Sequence, residues 1–71
     1  MKLRLFYTDK KGYVTTVDDV AKVTIKKLNK VKYLTVQQKT GKLIIEKLTD
    51  IELAYIVDIE TMQEFFRYDN R

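Results

Sequence analysis

Two groups of carboxylates have the residue types and spacing that could support chemistry. Asp18 and Asp19 are adjacent, and Asp50, Glu52, Asp58 and Glu60 gather in one later stretch. A carboxylate pair can hold Mg²⁺, or divide the work of general acid and general base. Their contexts favour plainer roles. Asp18-Asp19 falls where a turn is expected. Glu52, Asp58 and Glu60 share one face of an alternating stretch, which reads as the solvent side of a strand.

Absent residues restrict the chemistry further. The chain has no Ser, no Cys and no His. Thr and Tyr are the only hydroxyl nucleophiles, and no imidazole is available to activate them, so the usual nucleophile–base arrangements cannot be built. Without Cys there are no disulfides, and without His most zinc sites are lost. Two isolated glycines do not make a phosphate loop. A chain of 71 residues does not easily enclose the roughly 300 Å³ or more of a small-molecule site. The expectation is a protein that is not an enzyme, with no cofactor, no metal and no small-molecule substrate.

Charge gives a more positive lead. Residues 1–47 hold 12 Lys or Arg against 4 Asp or Glu, a balance of +8, whereas residues 48–71 hold 2 against 6, a balance of −4; together they give the net +4. Between Lys22 and Lys47 lie eight lysines and one acid, Glu46, with Tyr33 among them. Lys26, Lys32, Lys42 and Tyr33 are the candidate contact residues. Lysines neutralise phosphates and exposed aromatics stack on bases, so a nucleic-acid-binding small barrel is one reading. Against it, only three Arg are present, two of them in the last five residues, and Arg is the residue suited to bidentate contacts. Lysine also guards exposed strand edges against aggregation.

The favoured reading is a protein-interaction module. Open strand edges can pair with a partner. The basic and acidic segments could meet across a homodimer, or an acidic partner could cover the lysine face. Small domains are marginally stable and commonly rely on such support.

The elements that would position these residues read mainly as β-strands. The central signal is Val31–Lys47, two strands around the turn Gln38-Lys39-Thr40-Gly41. Glycine at the last turn position suits a left-handed residue that returns the chain through a bulge. A three-residue loop sets Val36 opposite Ile44, a two-residue loop sets it opposite Ile45, and a slip between them exchanges the faces. Asp9-Lys10-Lys11-Gly12 repeats the turn design between a first strand, Lys2–Tyr7, and a returning one, Tyr13–Val17. On the first strand Leu3, Leu5 and Tyr7 lie opposite to Arg4 and Phe6.

A helix over Val17–Asn29 would gather Val17, Val20, Ala21, Thr24 and Leu28. The β-branched run Val23-Thr24-Ile25 instead favours a strand over Val20–Lys27, followed by a turn at Leu28-Asn29-Lys30. After a bend at Leu48-Thr49-Asp50, Ile51, Leu53, Tyr55, Val57 and Ile59 alternate with Glu52, Ala54, Ile56, Asp58 and Glu60, which predicts a strand. Thr61-Met62-Gln63-Glu64 has capping-box spacing ahead of Phe65 and Phe66, which predicts a short C-terminal helix from Met62 to about Tyr68; a last strand is the alternative.

The expected fold is a small antiparallel meander of about six strands over residues 1–71, one domain. It would be strongly curved or closed like an SH3-type or OB-type barrel, with the terminal helix over an open end. The Met start suggests a complete small protein. Lack of Cys fits the cytoplasm, no apolar run approaches the roughly 20 residues of a membrane span, and the composition suits a bacterial or phage protein.

Overall fold

The structure is a computed structural model that describes residues 1–71. Seven strands form two antiparallel sheets: β1 Leu3–Asp9, β2 Val14–Val17, β3 Val20–Leu28, β4 Val31–Gln38, β5 Leu43–Lys47, β6 Ile51–Asp58 and β7 Glu64–Asp69. A one-turn 3₁₀ segment, Leu48–Asp50, precedes β6. The four-stranded sheet has the order β2-β1-β6-β7 and the three-stranded sheet the order β3-β4-β5. Both sheets have open edges, so the expected single meander of about six strands, strongly curved or closed as a barrel, is corrected to seven strands in two sheets, with β1 pairing β6 across the chain.

The predicted turns form as their chemistry requires. Gly12 donates to the Asp9 carbonyl at 3.0 Å and Gly41 to the Gln38 carbonyl at 2.9 Å. Both glycines are left-handed, at φ +92° and +93°, a conformation that costs a side-chain-bearing residue. The Asp9 carboxylate also accepts from the amides of Lys11 and Tyr13 at 2.9 and 3.0 Å. The loop at Gly41 is the three-residue form, and Val36 faces Ile44.

The sheet switch at Asp18-Asp19 depends on a residue that tolerates positive φ. Asp19 lies at φ +54°, and its carbonyl accepts from the Lys39 amide at 2.8 Å. The Asp18 carbonyl accepts from the Gln38 side-chain amide at 2.7 Å. These bonds anchor the first strand pair to the second sheet.

Residues from both sheets meet in one core: Leu5, Val17, Val20, Leu34, Val36, Leu48, Ile51, Ala54 and Ile56. On β1 the expected face, Leu3, Leu5 and Tyr7, is the one that packs inward. On β6 the expected faces are exchanged over Leu53, Ala54, Tyr55 and Ile56, while Ile51 and Val57 are buried as expected. Ile56 pairs with Leu5 and Ala54 with Tyr7, so Ala54 and Ile56 enter the core, while Leu53 and Tyr55 look outward. A bulge between Thr8 and Asp9 lets Ile51 point inward as well. Apolar residues occupy both faces of this central strand, which is why alternation alone misassigned them. Asp58, read as solvent-facing, is only 6% exposed.

The predicted C-terminal helix is absent. Met62 has φ +65°, and the Asp58 carbonyl accepts the Met62 amide at 2.6 Å while the Asp58 amide donates to the Gln63 carbonyl at 2.9 Å. This tight turn starts a strand. The Thr61 hydroxyl accepts from the Gln63 amide at 3.3 Å, so the apparent helix cap works within a turn, a competing use of the same side chain. Phe66 and Tyr68 then alternate inward with period two and pack on the core. No helix is long and apolar enough to cross a membrane.

Candidate interaction surface

The outer face of the three-stranded sheet is built from three cross-strand rows. Lys26 and Lys47 flank Tyr33, Thr24 and Ile45 flank Thr35, and Lys22 and Leu43 flank Gln37. The pleat sends alternate residues to this side, so Leu34 and Val36 fill the core while their neighbours on β4 face outward. Leu43 and Ile45 are 54% and 55% exposed, and Leu28, at the end of β3, is 64% exposed. Lys26, Lys27, Leu28, Tyr33, Thr35 and Ile45 line a shallow depression of about 390 Å³ on this face.

The four candidate residues therefore separate. Lys26 and Tyr33 are direct cross-strand partners on the outer face. Lys32 pairs with Lys27 on the opposite face of the same sheet. Lys42 lies in the β4–β5 turn, where its carbonyl accepts from the Gln38 amide at 2.9 Å; five residues of strand, roughly 17 Å, separate Gln38 from Tyr33. Lys47, which was not among the candidates, is the cross-strand partner of Tyr33 on β5. Its position becomes visible only once the loop length fixes the β4–β5 register.

Cations divide by type. Each of the three arginines is ion-paired: Arg4 with Asp18, Arg67 with Glu64 at 2.7 Å, and Arg71 with Asp69 at 3.1 Å. The Arg71 guanidinium and backbone amide hold the Asp69 carboxyl down to about 2. No lysine has a carboxylate partner. The fixed charges are thus spent within the fold, and the mobile ones stand free.

The outer face of the four-stranded sheet carries a feature that sequence reasoning missed. Thr16, Phe6, Tyr55 and Arg67 form one cross-strand row. The Phe6 and Tyr55 rings stack with centroids 5.3 Å apart, the Arg4 guanidinium lies 5.9 Å from the Phe6 centroid and that of Arg67 lies 5.4 Å from the Tyr55 centroid. Arg4 and Phe6 could be placed on one face from sequence. Their neighbours on β6 and β7 could not, because β1–β6 pairing joins strands far apart in the chain. Phe65 and Phe66 border a different groove, beside Leu3 and Val23.

A third depression, about 450 Å³, is lined by Tyr7, Lys10, Lys11 and Thr15 together with Asp9, Glu46 and Asp50. The Tyr7 hydroxyl donates to Glu46 at 3.5 Å. Burial raises the Tyr7 phenol above its ordinary value, and the Glu46 and Asp9 carboxylates push the same way against a lowering contact from Thr15. These depressions exceed the volume that the chain length suggested, but they are open surface hollows. No group of three or more carboxylates is placed to hold a metal ion. Comparison with protein-family models, curated proteins and solved structures finds no match.

Proposed function

We propose that the chain is a non-enzymatic protein-interaction module that docks the outer face of its β3-β4-β5 sheet on a partner protein with an acidic rim. The observation that carries this reading is Tyr33 with exposed Leu28, Leu43 and Ile45 on a face bordered by unpaired Lys22, Lys26 and Lys47. An apolar centre with a polar rim suits a protein interface, and clustered exposed apolar groups mark such sites. Symmetric self-association through this face would set the lysine rows against their own copies, a like-charge arrangement that costs affinity. Charge complementarity therefore selects a different protein that supplies carboxylates. The absence of Ser, Cys and His supports the non-enzymatic part of the reading.

The test is selection of ligands from a displayed random-peptide library, counter-selected on a Lys26→Glu/Ile45→Glu variant. Peptides combining carboxylates with apolar residues, binding the wild-type chain and not the variant, are the expected result. A library yielding no peptide that discriminates the two, or a solution mass showing a stable dimer lost in the variant, would overturn it.

A second reading has its own support. Tyr33 between Lys26 and Lys47 in one row is the arrangement in which a base stacks and phosphates are neutralised. It expects oligonucleotide affinity that falls steeply with salt and disappears when Lys26 and Lys47 are reversed in charge. Salt-insensitive or absent binding counts against it.

A further inference from the structure

At the end of the molecule bearing the β3–β4 turn, the space between the sheets opens into a cleft of about 600 Å³. Lys27, Lys30, Lys32 and Lys47 line it, and no carboxylate does. Three features concentrate charge there against the interest of the fold. Lys27 and Lys32 are direct cross-strand partners, and like charges so placed weaken an antiparallel pair. Asn29 and Lys30 both have positive φ, +51° and +67°, as a type I′ turn requires; its second central position favours glycine, and here it holds lysine. Finally, none of the four lysines has an ion-pair partner. In the depression at Tyr7, by contrast, Lys10 and Lys11 share the lining with Asp9, Glu46 and Asp50.

We propose that this cleft is a phosphate-binding site for a ligand carrying adjacent phosphate groups, which bridges Lys27 and Lys32 and removes their mutual repulsion. Ammonium groups bind phosphate as mobile point charges, and the guanidinium groups that could grip it with two parallel bonds are already paired within the chain. Thr49 and Asn70, also in the lining, add neutral donors. A free oligophosphate and the backbone of a single nucleic-acid strand share this chemistry. The site adjoins the outer face proposed for protein docking: Lys32 lies on the other side of the sheet, while Lys27 also lines the outer depression and Lys47 also flanks Tyr33.

The test is titration of the full chain with inorganic tripolyphosphate, followed by amide chemical shifts and by thermal unfolding. Tripolyphosphate is expected to shift the amides of residues 27–32 and 47 and to raise Tm, as a ligand that binds only the folded state must. Lys27→Gln and Lys32→Gln should each raise Tm without ligand and weaken binding roughly tenfold or more, while Lys10→Gln and Lys11→Gln should do neither. Oligothymidylate that binds and loses affinity in the same variants assigns the phosphates to a single strand; failure of oligothymidylate beside tripolyphosphate binding assigns them to a free oligophosphate. No tripolyphosphate binding, equal affinity in the Lys27 and Lys32 variants, a lower Tm in those variants without ligand, or equal binding of an oligoglutamate peptide would each overturn the proposal.

Discussion

Phe6 and Tyr55 stack face to face across β1 and β6, with 21° between their planes. They join the first and sixth strands on the side of the sheet away from the core. Aromatic pairs contribute beyond the area they bury, by about 0.5–1.5 kcal/mol. In a double-mutant cycle, Phe6→Leu and Tyr55→Leu should show a coupling of about 1 kcal/mol in denaturant unfolding. Additive losses would mean that the rings contribute only as separate apolar surface.

The two left-handed turn positions of different residue type should respond in opposite directions. Gly41→Ala places a side chain at φ +93° with open space around it, so backbone strain is the only new cost. The expected loss is about 1 kcal/mol. Lys30→Gly relieves a side chain held at φ +67° and should gain about 1 kcal/mol. Chemical denaturation of both variants checks the pair.

Asp58 makes the acid side of the stability profile specific. Its carboxylate accepts the Glu60 amide at 3.0 Å. That bond, with help from the amides of Lys2 and Thr61, holds the carboxyl below its ordinary value. A lowered folded-state value means that the contribution is present above the unfolded value and is lost as pH falls through the folded one. Asp58→Asn should therefore flatten the fall in Tm below about pH 4. An unchanged slope would assign the acid sensitivity to other carboxylates.

Tyr7 governs the alkaline side. Burial raises its phenol, so its contribution is complete below the unfolded value near pH 10 and declines as pH rises through the folded one. Tyr7→Phe should leave Tm nearly unchanged at neutral pH and reduce its decline above about pH 10. A decline identical to that of the wild-type chain would show that the phenol titrates alike in both states.

The β4 core should be the most sensitive to truncation. Leu34 is 1% exposed and belongs to the central cluster. Leu34→Ala should cost about 3 kcal/mol, whereas Ile45→Ala, one row away on the outer face, should cost under about 1 kcal/mol. Equal losses would mean that the outer face is covered in solution.

Local signals were legible and long-range ones were not. The glycine turns, the turn at Leu28-Asn29-Lys30, the strand over Val20–Lys27 and the inward face of β1 follow from residues a few positions apart. The β6 face reversed because Ala54 and Ile56 are as apolar as Leu53 and Tyr55, and the pairing of Ile56 with Leu5 decides between them. Met62 through Tyr68 was misread because Thr61 and Glu64 have cap spacing, while the turn built by Asp58 leaves no room for a first helical turn. For the surface, Lys26 beside Tyr33 could be reached from the hairpin. Lys47 needed the register, and the Arg4–Phe6–Tyr55–Arg67 stack needed the β1–β6 pairing.

That pairing also sets an order of events. Leu3 lies opposite Asp58, so closing the four-stranded sheet must bring together residues from the two ends of the chain and pay a large loop entropy. Within the β3-β4-β5 meander every strand pairing is a hairpin between chain neighbours, the kind of local pairing that forms fastest. The rows of its outer face, Lys26-Tyr33-Lys47 among them, therefore depend on sequence-local pairing, whereas the core beneath them, around Leu34 and Val36, is completed only by the terminal strands.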